Sequence, residues 1–158
     1  MRTITTRSAS NIHVEAADAT VARRYWFGMK IGKDWISSII SIPLETMARN
    51  QGKSNAVSEE RGWFELAILT QSYGRGRQIG INSIKLKNDR EILTWAFLKV
   101  PPQDKYQSLS RTVFMEDFAE FWKNVTEDDW IAVLACAQLE STCDGSTGRL
   151  SINIASGT

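Results

Sequence analysis

The chain has 158 residues, of which 42% are hydrophobic and 23% charged, with a formal charge of +1; these are the proportions of a globular domain with one core. No apolar run reaches the ~18 residues of a membrane-spanning helix, and the N-terminus lacks the apolar stretch of a secretory signal. The small net charge hides an uneven distribution. Residues 1–111 carry 17 Lys and Arg against 10 Asp and Glu, whereas residues 112–158 carry 2 against 8. Such a division points to a basic surface that meets a polyanion, or to a molecule whose two ends attract each other's copies.

Residues 1–14 are rich in Ser, Thr and Arg and contain no acid, and they read as a mobile basic arm ahead of a single domain at 15–158. From Glu15 the spacing becomes helical. Val21, Tyr25 and Met29 recur at i, i+4 and i+8, which predicts a helix over 16–30 closed by Gly32. Asp34 caps a second run with Trp35, Ile36, Ile39 and Ile40 on one face, and Pro43 breaks it. A short third helix is expected from Leu44 to Asn50, then a loop at 51–55.

The run Trp63–Ser72 fits a buried helix or a central strand. Gly62 before it and the turn-rich Tyr73–Arg77 after it favour the strand. Downstream, Lys87-Asn88-Asp89-Arg90 separates two stretches of strand formers, and Asn-Asp suits a two-residue turn. Setting Lys87 opposite Arg90 pairs Ile84 with Leu93, Ile81 with Ala96 and Ile79 with Leu98. The expected centre of the fold is therefore an antiparallel hairpin over 79–100, apolar on both faces.

The last third reads as two acidic helices and a strand. Phe114, Phe118, Phe121 and Trp122 form an apolar stripe opposite Glu116, Asp117 and Glu120. Thr126-Glu127-Asp128-Asp129 resembles a capped helix start, with Trp130, Val133, Leu134 and Ala137 as the buried face. Residues 144–148 read as a loop. Leu150, Ile152 and Ile154 alternate in a closing strand over 149–155. The fold class expected from the sequence is α+β: N-terminal helices, a sheet built on the 79–100 hairpin, two acidic helices and a closing strand.

The loop Tyr73-Gly74-Arg75-Gly76-Arg77-Gln78 stands out as a candidate site. Its glycines permit close approach to a phosphate, its arginines offer forked donors, and Tyr73 presents a ring on which a base would stack. Lys85, Lys87 and Arg90 extend the basic surface to the hairpin tip. The plainer reading is a solvated turn. The acids Glu116, Asp117, Glu120, Glu127 and Asp128 read as a solvated face, or as a docking surface for a basic partner.

His13, the one histidine, sits in the presumed arm and reads as a bystander. Cys136 and Cys143 would lie about 10.5 Å apart along a helix, too far for a disulfide, which predicts free thiols in a reducing, cytoplasmic compartment. No phosphate-binding loop, dinucleotide fingerprint, nucleophile elbow or zinc spacing is present, so no cofactor, metal or enzymatic activity is expected. Two functions follow. One is a non-enzymatic accessory protein that binds nucleic acid through the arm and the 73–78 loop. The other is a structural or adaptor subunit that self-assembles or docks on a protein partner.

Overall fold

A computed structural model of the chain describes residues 1–51, 61–85, 94–117, 119–123 and 125–155. Among these, nine strands run β1 Arg2–Arg7, β2 Ile12–Glu15, β3 Ala22–Lys30, β4 Ile39–Asn50, β5 Gly62–Leu69, β6 Thr94–Lys99, β7 Gln103–Phe114, β8 Trp130–Ala137 and β9 Thr142–Ile154. The only α-helix among the described residues is α1, Ala119–Trp122. Strand makes up 60% of the described residues, so the α+β expectation is corrected to an antiparallel β fold.

One sheet has the order β1-β9-β4-β7, with β2 also paired to β9; the other has the order β3-β8-β5-β6. β1 and β2 lie end to end along β9, Arg2 opposite Ile154 and Ile12 opposite Gly145. From β2 onward the chain crosses between sheets at every connection except β5 to β6. Two four-stranded layers with this crossing order form a jelly roll. Residues 1–14, expected as an arm, thus contribute two strands to the first sheet, and Ser8 N–H donates to Gly148 O at 2.9 Å.

The main core fills the space between the sheets. It contains Ile12 and Val14 of β2, Trp26 and Phe27 of β3, Leu44 of β4, Phe64 and Leu66 of β5, Val133 of β8, and Leu150 and Ile152 of β9. A second apolar cluster covers the outer face of the β3-β8-β5-β6 sheet, where Ile79 and Ile84 pack on Tyr25, Ala67, Leu69, Leu134 and Cys136. The two central strands of that sheet are therefore buried on both faces. Such strands read as continuous apolar runs with no period of two.

That burial explains the largest correction. Trp130–Ala137, expected as an acidic-capped helix, is β8; Val133 and Ala137 face the inter-sheet core while Trp130 and Leu134 face outward. The expected helix at 16–30 is β3, where the register shifts between Tyr25 and Phe27. The bulge places Tyr25 in the outer cluster and both Trp26 and Phe27 in the inner one, so the apolar spacing departs from two and imitates a helix. The expected second and third helices are a turn at 33–38 followed by β4, and Pro43 lies inside that strand. It is accommodated because the β9 ladder pairs Ser41 and Leu44 but is interrupted between them, while β7 pairs Pro43 with Thr112.

The 79–100 hairpin is also corrected. β6 pairs with β5, Trp63 opposite Lys99, rather than with residues 79–84, and Ile81–Ser83 is a 3₁₀ turn. The proposed turn at Asn88-Asp89 lies outside the described residues. The stripe expected on the first acidic helix reduces to the four-residue α1, with Phe118 outside the described residues. Strand character at 63–69 and 149–154 agrees with expectation, although β9 begins at Thr142 and absorbs the segment read as a loop.

Trp26 shows why β9 needs glycine. A Cβ on Gly145 would lie 2.5 Å from the Trp26 ring, and one on Gly148 would lie 2.7 Å from Phe27. Trp26 also donates its indole N–H to Ser10 O at 2.8 Å, which ties the β1–β2 link to the core.

Cys136 and Cys143 are free and fully buried. Desolvation raises both thiol pKa values, helped at Cys136 by the nearby Glu65 charge. The thiolate is the nucleophile that attacks a disulfide probe and expels its leaving thiolate, so at neutral pH the native protein should label negligibly, and two thiols should appear when denaturant is added. Fast labelling of the native chain would show that β8 and β9 open far more readily than this packing implies.

Candidate functional site

The exposed edge of β3 is closed by the loop singled out from the sequence. Tyr25 N–H donates to Arg77 O at 2.9 Å, Gly76 N–H to Tyr25 O at 2.7 Å, and Ile79 N–H to Arg23 O at 2.9 Å. Gly76 has φ +85°, which a side chain would resist, and this lets the chain turn back along the strand. Tyr73 packs edge-on against Tyr25 at 6.2 Å with the Arg77 guanidinium 5.4 Å above its ring. The loop is thus a sheet-edge cover whose aromatic ring is half-buried.

Arg75 stays exposed and reaches across to the residue before β2, where one Nη donates to Asn11 O at 2.9 Å. Arg24, on β3, donates from Nη1 to Gly76 O at 2.8 Å. Each guanidinium is oriented by a backbone carbonyl and keeps further donors. Between them lies an open cleft of about 610 Å³, with Ile12, His13, Glu15 and Ala17 along its other wall.

His13 is held by more than its neighbours on β2. Its Nδ1 donates to Asp144 Oδ1, and Asp144 is a buried carboxylate facing it from β9. The other Asp144 oxygen accepts from Arg49 Nε at 3.2 Å, and the Arg49 guanidinium lies 4.4 Å from the Tyr106 ring centre. Each oxygen of Asp144 therefore has a hydrogen-bond donor, as a buried carboxylate requires. The His13 ring, 57% exposed, turns Nε2 toward Glu15 at 3.8 Å. No sequence signal pairs residues 131 positions apart, and alternation back from Leu150 would put Asp144 on the core face; the register break on β9 between Gly145 and Thr147 turns it outward to His13.

A second buried carboxylate, Glu65, accepts from Arg23 Nε at 2.9 Å, Trp63 Nε1 at 3.0 Å and Thr94 Oγ1 at 2.8 Å. Burial disfavours the Arg23 charge, but the hydrogen bond and charge of Glu65 outweigh it and raise the Arg23 pKa. This cluster lies on the outer face of the sheet and ties β3, β5 and β6 together.

The other residues expected to bind nucleic acid do not converge on the cleft. Lys85 is drawn inward, its Nζ 2.7 Å from the buried Asp129 carboxylate, which also accepts from Thr126. Lys87 and Arg90 lie outside the described residues. Of the acids, Glu116 and Asp117 are exposed in a 3₁₀ turn, Met115–Asp117, and Glu120 is on α1. Glu127 and Asp128 form a separate exposed turn, where Asp128 meets Lys30 at 3.3 Å. Among the described residues no three His, Cys, Asp or Glu side chains are grouped to hold a metal ion, and no helix is long and apolar enough to cross a membrane.

Fold and site together define an antiparallel jelly-roll sandwich with an open, largely basic cleft at the junction of its two sheets. No family model matches the sequence, and no curated protein matches it. Among solved structures, the chain is similar to arcelin-5, a lectin-like defense protein from Phaseolus vulgaris, with a TM-score of 0.48, 8% identity, and coverage of 97% of this chain and 99% of that one. A decameric BFDV capsid protein gives a TM-score of 0.28 at 9% identity over 96% of each chain. A Maize Chlorotic Mottle Virus structure gives 0.28 at 11% identity, over 99% of this chain and 97% of that one. Likeness at this level carries no argument about function.

Proposed function

We propose that the protein is a non-enzymatic structural subunit that self-assembles. The observation that carries this reading is the outer edge of the first sheet. β7 runs twelve residues and among the described residues pairs only with β4, leaving one side of its backbone ladder unpaired. An uncovered strand of this length is a template for another chain. At its end Phe114 is 48% exposed beside Ile40, 42% exposed, so apolar surface adjoins the open edge. The nucleic-acid reading has less support, because Tyr73, Arg77 and Lys85 are engaged in contacts within the fold.

Light scattering on the purified chain, combined with the ratio of nucleic-acid to protein absorbance, tests the proposal. The expected result is one homogeneous species at an integer multiple of the chain mass, with a protein-like absorbance ratio that nuclease leaves unchanged. A monomer at every concentration defeats the proposal. A large species that dissolves under nuclease transfers the function to nucleic-acid binding.

A further inference from the structure

The jelly roll carries two exposed surfaces of opposite charge at diagonal corners. The first is the cleft between β2 and the 74–79 loop, where Arg24 and Arg75 face a single acid, Glu15, and His13 and the apolar Ala17 complete the wall. The second is the turn after β7, where Glu116 and Asp117 are exposed and have no ion-pair partner among the described residues. Ile40, Phe114 and Met115 flank that turn and line a shallow hollow with Glu116. Each surface therefore combines charge with an apolar margin, and the charges are complementary.

The two surfaces cannot meet within one molecule. β2 and β7 lie on opposite sides of the β9-β4 pair. Ile12 is opposite Gly145, whereas Phe114 is opposite Ser41, which is itself opposite Asn153. At about 3.3 Å per residue these rows are roughly 25 Å apart along β9, beyond the reach of any side chain.

We propose that the acidic turn of one copy docks in the basic cleft of the next. This rests on the self-assembly reading and names its surfaces. Arg24 and Arg75 are suited to the task because a backbone carbonyl orients each guanidinium while further donors remain for a carboxylate. His13, fixed by Asp144, walls the same cleft. The cleft, about 610 Å³, falls in the size range of ligand sites (~300–1,000 Å³), room for a turn bearing two carboxylates. Since the contact joins unlike surfaces it is head-to-tail, and it propagates into a ring or shell where the rotation closes and into a filament where it does not.

The test is a reciprocal charge reversal read by light scattering. Arg24→Glu/Arg75→Glu in the cleft, and separately Glu116→Lys/Asp117→Lys in the turn, should each raise the concentration of half-assembly at least ~10-fold, because like charges are then juxtaposed. An equimolar mixture of the two variants should assemble again, since every cleft then faces a turn of opposite sign. The turn variant alters only exposed side chains and carries the test if the cleft variant does not fold. Wild-type assembly with unshifted variants, or a mixture that stays dissociated, overturns this contact while leaving self-assembly standing. A wild-type monomer at all concentrations overturns both. Loss of copurifying nucleic acid from the cleft variant alone would assign the cleft to a polyanion instead.

Discussion

Replacing Phe64 with alanine should destabilise the protein by about 3–5 kcal/mol, the cost of lost burial plus an unfilled cavity. Phe64 is fully buried on the inner face of β5, and its ring stacks on Trp26 at 5.2 Å. Trp26 has little room to follow. It meets Phe27 edge-on at 5.0 Å, lies over the glycines of β9 and is tied to Ser10 by its indole N–H. Denaturant unfolding should show a lower midpoint with an unchanged slope. A loss below ~1 kcal/mol would show that the sheets close over the gap, against the constraint assigned to Trp26.

Glu65→Leu should cost a similar ~3–5 kcal/mol by a different route. The side chains of Glu65 and Arg23 are 6% and 17% exposed, so removing the carboxylate strands a largely buried guanidinium and also leaves Trp63 Nε1 and Thr94 Oγ1 without their acceptor. Adding Arg23→Met to this variant should recover most of the loss, because an apolar pair then replaces an unpaired charge. Equal instability of the single and double variants would mean that Arg23 is solvated and the pair contributes little.

Parts of this architecture were legible from residues alone. The apolar run at 63–69 and the alternation of Leu150, Ile152 and Ile154 marked strands, because burial and pleat leave their trace in neighbouring positions. The Arg75 wall of the cleft was legible too, since glycine beside arginine marks an exposed basic turn. The opposite wall was not. His13 belongs to the site only because β2 lies against β9 and brings it to Asp144, a pairing across 131 positions.

What the sequence determined by itself is a chain with enough apolar residues for one core and a basic body followed by an acidic end. The helices were misread for a physical reason: apolar periodicity reports which faces are buried, and β8 is buried on both while β3 changes face at a bulge. Only the tertiary structure decided those burials, by laying residues 74–84 over the outer face of the β3-β8-β5-β6 sheet and threading the N-terminal segment along β9. It also separated the charges. The contrast between the two ends of the chain became two surfaces at opposite corners of a sandwich, because β2 and β7 sit on either side of the strands that join them.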